Sequence, residues 1–600
     1  MKKINRTLLK SIPVLVTLVL VVSIILLISQ KASSEPWVQT NGPYGGYIHC
    51  FAMEGKDIFV GTEGSGVFHS TNDGISWIAV NSGLTSKNVY SLAVSGTNII
   101  AGTNGGVYIS NNKGVSWKPD NSDLKNTIVL TFAVSGTNIF AGTSSGVFLS
   151  TDNGVNWKAA NSGLTFISVN SLAISGGNIF AGTEDGGIFL STNNGESWSP
   201  VNSGLTTKQI NSVAVSGTTI FAGTYGGGIF ASENNGKSWT AVNSGLTNNH
   251  VYFIACSSRS IFAGTDEGIF ISSNGGKTWS AVNSGLTNKY VFSLAVEDKK
   301  IFAGTNGGGV FLSTDNGTSW RGVSSGLLNT HVGTIVMRDK AIFAGTNGAG
   351  VFLSEDSGKN WKKINNGLSN PYVFSLAVSG TNIYAGTNGG GVFLSTDNGT
   401  NWIEVNSGLT NKYVYSLAVS GTNIFAGTLG GGAFISTDSG TSWRPINSGL
   451  PNPNVGSLAV SGKNIFVGTF GNGVFLSSDN GESWKEVNSG LTNTQIFSLT
   501  VSGTNIYAGT PEDGVFISTD NGTSWRPTNT GLTTPKIDCL ASKGKTVIAG
   551  TFGGGVYTSD NSGKSWKQEN SGLENIDAYS FCINGSSILA GTNGRGIWVK

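Results

Sequence analysis

Three acidic pairs stand at one phase of a repeating loop: Glu184 with Asp185, Asp266 with Glu267, and Glu512 with Asp513. The loop follows an "AGT" segment and elsewhere is mostly Asn and Gly. Its other departures are Glu63 and the aromatics Tyr225, Phe470 and Phe552. Carboxyl groups facing one another across a groove, roughly 5–10 Å apart, can hydrolyse a glycosidic bond. Such a site needs Glu184 and Asp185 to face Asp266 and Glu267. Aromatic rings beside carboxylates also suit sugar or peptide binding without chemistry. Surface loops tolerate stray charge as well, so no residue is assigned a catalytic role. Glu184, Asp185, Tyr225, Asp266, Glu267, Phe470, Glu512, Asp513 and Phe552 are read as a candidate binding set.

Other chemistries find little support. The four histidines, His49, His69, His250 and His331, show no metal-ligand spacing. The four cysteines, Cys50, Cys256, Cys539 and Cys582, form no CxxC pair, so free and mostly buried thiols are expected rather than a zinc or redox site. "TDNG" resembles the start of a calcium loop but lacks its distal Glu. "GTNGGG" opens no helix, as a phosphate cradle would. No metal and no cofactor is expected. Net charge is +2 with 12% charged residues, which gives no basic stripe for nucleic acid.

The elements that position these loops follow from a second motif. "FLSTDNGTSW", Phe311 to Trp320, recurs along the chain. Its structural residues here are Ser313, Asp315, Gly317 and Trp320. The Asp closes an Asx-type turn, the Gly supplies positive φ, and the Trp opens the next strand. Thirteen copies end in a Trp, from Trp77 to Trp566, always 40 or 41 residues apart. That period with strand signals points to a propeller or solenoid. In the unit beginning at Trp361, the runs "VFSLAV", "NIYAG" and "GVFLS" are nearly continuous apolar stretches, as in strands covered on both faces. Four-stranded sheets packed face to face around an axis satisfy that demand.

On these residues the sequence resembles the Asp-box (BNR) repeat family of β-propellers. That family includes sialidases, sortilin-type receptors, tandem-propeller xyloglucanases and photosystem II stability/assembly factors. The resemblance spans about Trp37 to Lys600. It implies an all-β chain of about fourteen four-stranded blades, read as two tandem seven-bladed propellers over residues 35–325 and 326–600. It also implies a functional rim opposite the boxes, where the acidic and aromatic loops lie. The last unit stops after its third strand and Trp37 begins a lone fourth, so the first strand is expected to complete the last blade. How the first ring closes is not visible in the sequence. The arginine triad and Arg-Ile-Pro segment of sialidases have no counterpart. The invariant repeat length leaves no long loops for the cleft of the xyloglucanases.

Residues 1–34 read differently. Lys2, Lys3, Arg6 and Lys10 precede the uncharged apolar run Val14 to Ile28, followed by small residues at 32–34. This is a secretory signal peptide or an uncleaved membrane anchor over residues 11–29. Either puts the repeats outside the cytoplasm, in the periplasm or the extracellular space. The combined reading is an exported, non-enzymatic propeller that binds a protein or a polysaccharide, with no nucleic-acid partner. A glycoside hydrolase and a cell-surface adhesin are the alternatives.

Overall fold

In the computed structural model, the described residues are 38–39, 45–120, 124, 126–257, 259–297, 299–325, 328–451, 453–573, 577–584 and 587–600. The signal or anchor segment lies outside them. The described residues form fourteen four-stranded antiparallel sheets and one two-stranded pairing, with no helix. Each sheet is a blade, numbered 1 to 14 in chain order; blades 2 to 6 span residues 89–120, 129–159, 169–200, 210–241 and 251–281, and blades 10 to 13 span 414–445, 455–486, 498–527 and 537–568. Blade 9 is representative, with strands Val373–Ser379, Asn382–Thr387, Gly391–Ser395 and Ile403–Glu404. The second and third strands are buried almost throughout, because each sheet is covered by a neighbour on both faces.

Adjacent blades share apolar clusters, and those clusters define two rings of seven. Blade 1 (48–79) packs on blade 7 (291–322): Ile48, Val60, Phe68 and Trp77 meet Phe302, Val310 and Val323. Blade 8 (332–363) packs on blade 14 (578–599): Val332, Phe352 and Trp361 meet Leu589 and Ile597. Ring one therefore closes by packing and hydrogen bonds alone. The Trp77 indole donates to Val323 O at 2.7 Å, and the Trp77 N–H to Ser325 O at 2.9 Å. Ring two closes by strand exchange. Val38–Gln39 pairs with Val599 and Trp598 as the fourth strand of blade 14. The strand at 38–39 belongs to ring two, because the edge of Ile597–Val599 needs a partner. The two links into the rings run side by side, with Gly45–Gly46 parallel to Leu328–Asn329.

The box works as a staple within a blade and a tie between blades. The Ser313 hydroxyl donates to Asp315 Oδ1 at 2.8 Å and accepts from the Gly317 N–H at 2.8 Å. Asp315 also accepts from the Ser319 N–H at 2.9 Å. Asn316 and Gly317 both have positive φ, 60° and 88°. The Trp320 indole then crosses to blade 6 and donates to Val282 O at 2.7 Å. Most box tryptophans repeat that bridge. Trp157 instead donates to Gly154 O of its own loop, and the Trp361 indole also donates within its loop, to Gly358 O.

A second staple fixes the opposite rim. Asn406 of the "VNSG" segment accepts from the Val392 N–H at 2.7 Å and donates to Gly390 O at 2.9 Å. Gly391 lies against it at φ +79°, and a methyl there would come within 2.2 Å of Asn406 Oδ1. We expect Gly391→Ala to cost at least about 1–3 kcal/mol, from the positive φ together with the displaced amide. Gly380, at φ +59° with nothing within 4 Å, should tolerate Ala at the low end of that range, about 1 kcal/mol. Denaturant unfolding of the two variants measures the difference.

Candidate binding face

Every innermost strand but one carries a β-bulge after its first residue, as in the register shift between Val251 and Phe253. A bulge re-aims the extra side chain. In ring one the seven residues at this position are His49, Tyr90, Leu130, Asn170, Asn211, Tyr252 and Phe292, and together they line one cavity of about 250 Å³. They form the mouth of the ring's axial channel, on the rim opposite the boxes. Asn170 and Asn211 each donate to a carbonyl of the next blade at 3.1 Å, which fixes the polar side of the mouth. In ring two the same position is held by Gly333, Phe374, Tyr415, Gly456, Phe497, Asp538 and Tyr579. Sequence reasoning missed these residues. Their signal is a strongly variable second position in a repeated strand, for example "VYSLAV" against "VNSLAI" and "VGSLAV".

The two rings meet along this same rim. Asn347 Nδ2 donates to the Tyr47 hydroxyl at 2.6 Å, Asn288 Nδ2 to Gly348 O at 2.7 Å, and the Tyr372 hydroxyl to Asn306 O at 3.2 Å. The Ser65 hydroxyl bonds Gly594 O. Gly307 leaves no room for a side chain, since a methyl would sit 1.9 Å from Asn347 O.

Aromatic rings run across the seam without a break. Tyr90 lies 5.2 Å from His49, His49 6.2 Å from Phe292, Phe292 5.1 Å from Tyr252, Tyr252 5.8 Å from Tyr290, and Tyr290 6.4 Å from Tyr372. The last step passes from ring one to ring two. A second patch in ring two joins Phe374, Tyr415, Phe470 and Phe497, at 4.8, 6.1 and 5.6 Å in turn.

Charged groups gather where the rings meet. His49 lies 3.7 Å from Glu63. The imidazole holds the Glu63 carboxyl below the usual range against the opposing effect of burial, and His331 of ring two adds to it. His331 packs 4.7 Å from Tyr579, and burial pushes its pKa down to about 4, so it is neutral at pH 7. Burial, with the nearby Asp577 carboxylate, pushes Asp538 up to about 7, and Lys536 opposes that rise. Asp538 Oδ2 is buried without a hydrogen-bond partner.

The loop residues singled out from the sequence divide between these features. Tyr225 stacks on His250 at 4.2 Å, and Asp266 Oδ2 accepts from the His250 Nδ1–H at 3.1 Å. Both Tyr225 and Asp266 act electrostatically on Tyr252, so this group adjoins the aromatic path. Phe470 joins the ring-two patch. Phe552 is exposed, with the Lys536 ammonium 5.7 Å from its centre. Asp513 ties its loop to the preceding link, with Thr492 Oγ1 donating to it at 2.5 Å. Glu184, Asp185, Glu267 and Glu512 are exposed. Glu184 and Asp185 sit on blade 4, with blade 5 between them and the Asp266 loop of blade 6.

The cysteines are free thiols, but only Cys539 is fully buried; the other three are half-buried. Burial raises the pKa of all four, as suits the mostly buried thiols expected from the sequence. Among the described residues no group of three or more His, Cys, Asp or Glu is placed to hold a metal. Among them, too, no helix is long and apolar enough to cross a membrane.

No curated protein matches the sequence. The chain is similar in fold to an ancestral GH74 enzyme, with TM-score 0.65 and 16% identity over 95% of this chain and 99% of the other. It is similar to the GH74 xyloglucanase of Xanthomonas campestris, with TM-score 0.62 and 15% identity over 94% and 99%. It is also similar to PorZ, a surface component of the type-IX secretion system of Porphyromonas gingivalis, with TM-score 0.55 and 14% identity over 94% and 87%. At these identities the likeness is one of fold. The model of the DUF6242 β-propeller domain matches residues 124–259, 174–291 and 329–464, together just over half of the sequence. With its repeated Asp boxes and fourteen blades, the chain belongs to the DUF6242 β-propeller family, within the Asp-box (BNR) superfamily of propellers.

Proposed function

We propose that this protein is an exported, non-enzymatic binding platform whose ligand is a glycan chain lying across the seam between the rings. The observation that carries this reading is the unbroken aromatic path from Tyr90 to Tyr372. Aromatic side chains offer large apolar area at low entropic cost, with hydroxyls left for polar contacts. The scaffold beneath is rigid, because thirteen of the fourteen blades carry the box staple on one rim and most carry a staple like that of Asn406 on the other. The basic residues and apolar run before residue 35 support export; retention of that run as an anchor would favour a role at the cell surface.

Isothermal titration of the protein with hits from a glycan array tests the reading. Tyr252→Ala should weaken binding at least about tenfold, the effect of losing a central aromatic anchor. Exposed Glu184→Gln should change it little. Absence of any glycan binding sinks the proposal and leaves protein partners for envelope pull-downs.

A hydrolase reading has one observation in its favour. Carboxyls from both rings, Glu63 and Asp538, act on the same His331–Tyr579 pair. The fold likeness to a xyloglucanase makes xyloglucan a sensible first substrate. Release of reducing ends, lost in Glu63→Gln or Asp538→Asn, would replace the platform reading with this one.

A further inference from the structure

One group at the ring-two mouth is not explained by packing. Asp538 stands at a bulge position, where a side chain is turned toward the channel. Its Oδ2 is buried and unpartnered, although buried polar atoms are nearly always satisfied. On the same mouth lies a continuous aromatic arc of Phe374, Tyr415, Phe470 and Phe497. Phe470 comes from the rim loop of blade 11 and covers Gly456, where an added methyl would lie 2.5 Å from its ring. The bulge glycine therefore admits a fourth aromatic ring to the arc. Tyr579, on the next blade, feels the Asp538 charge.

We infer that the mouth of ring two is a subsite for a primary ammonium group, filled by an amino-sugar unit of the bound glycan. This rests on the platform reading above and names part of its ligand. The chemistry is specific. Aromatic faces are electron-rich and attract cations, more strongly where water is excluded. An ammonium has three N–H donors and no acceptor, which suits an acid oxygen that lacks a donor. A hard metal ion is a poorer fit, since it needs about six oxygen ligands and the arc offers only the Tyr415 hydroxyl. A neutral sugar offers the arc its apolar face but leaves Asp538 without a cation.

The pairing also carries a pH signature. Asp538, raised to about 7 by burial and by Asp577 with Lys536 opposing, holds the anion best above neutrality. The amino sugar holds its proton best below it. Affinity should therefore peak near neutral pH and fall on both sides. Tyr579 and the Cys539 thiol, the other titratable neighbours, stay protonated across this range, because burial raises both.

The test is titration of the full chain with a tetramer of β-1,4-linked glucosamine and with its N-acetylated counterpart at pH 7. The free amine should bind at least tenfold tighter. Asp538→Asn should abolish that preference, bringing the free-amine oligomer to the affinity of the N-acetylated one. Phe497→Ala should weaken the glucosamine oligomer severalfold. Equal affinity for the two oligomers, or a preference that survives in Asp538→Asn, overturns the inference. If both bind equally and Tyr252→Ala weakens both, the platform stands and only the ammonium subsite falls. If neither binds and no other glycan does, both fall. Tighter binding of tetralysine than of the glucosamine tetramer overturns the sugar assignment.

Discussion

Trp320→Ala should lower the stability of ring one by about 3–5 kcal/mol, the range for truncating a large buried aromatic side chain. The residue is 5% exposed and belongs to the cluster that joins blades 6 and 7, with Phe262, Leu286, Leu294 and Phe311. Truncation opens a cavity between sheets that have no other means of filling it. It also leaves Val282 O without the indole donor that now reaches it at 2.7 Å. Trp320→Phe keeps most of the apolar contact and loses the bridge, so about 1 kcal/mol is expected from the hydrogen bond, plus a smaller packing loss. The comparison with Trp157 isolates the inter-blade part. Trp157 packs on Ile100 and Val107 of blade 2 but donates to Gly154 O of its own loop, so Trp157→Phe should not loosen blade 3 from blade 2. Hydrogen exchange read blade by blade separates the cases. Protection lost equally in blades 6 and 7 after Trp320→Phe is the expected result. Loss confined to the box of blade 7 would mean that the tie between blades is energetically unimportant.

The same residues show what the sequence could and could not disclose. A box recurring every 40 or 41 residues left little doubt about four-stranded blades, because turn chemistry is local and each box residue satisfies a neighbour. The indole bridge is not local: Trp320 and Val282 are 38 residues apart, and only the stacking of one blade on the next brings them together. Ring one was opaque for the same reason. It closes through the packing of Ile48 and Trp77 on Phe302 and Val323, which leaves no strand-exchange signature. The binding face shows a subtler limit. Attention to loops found Tyr225, Asp266 and Phe470, which join larger aromatic groups. It passed over Tyr252, Phe292 and Asp538, because a residue inside an apolar strand reads as core. The bulge breaks the two-residue alternation, and bulges are not written in side-chain periodicity.

Acid should dismantle ring two before ring one. Five of the six boxes of ring two hold Asp at the capping position, Asp356, Asp397, Asp438, Asp479 and Asp520; only two of the seven in ring one do, Asp152 and Asp315, the rest being Asn. In Asp438 and Asp520 the Ser442 and Ser524 hydroxyls, followed by their N–H groups, pull the pKa down to about 2. Asp479, held by the Ser483 and Ser477 hydroxyls, behaves alike. Asp356 and Asp397 are lowered by the N–H and amide of Asn360 and Asn401. A carboxyl whose pKa is depressed on folding stabilises the fold above its unfolded value, about 3.9. That contribution disappears as pH falls toward about 2. The Asn boxes carry no such term, although Asn274 makes the matching bond to the Thr278 N–H at 3.0 Å. Asp538 acts in the opposite sense. Its raised pKa favours the fold at low pH and withdraws that support as pH rises through 7. Ring two should therefore gain slightly in stability from pH 7 to about 4, then lose it steeply toward 2. Digestion with pepsin, which cuts unfolded chain in this acid range, provides the readout. Fragments from residues 332–599 should appear at a higher pH than those from 48–322. Replacing the five aspartates by Asn should bring the two onsets together, and simultaneous release of both rings from the unmodified protein would show that the boxes do not govern acid stability.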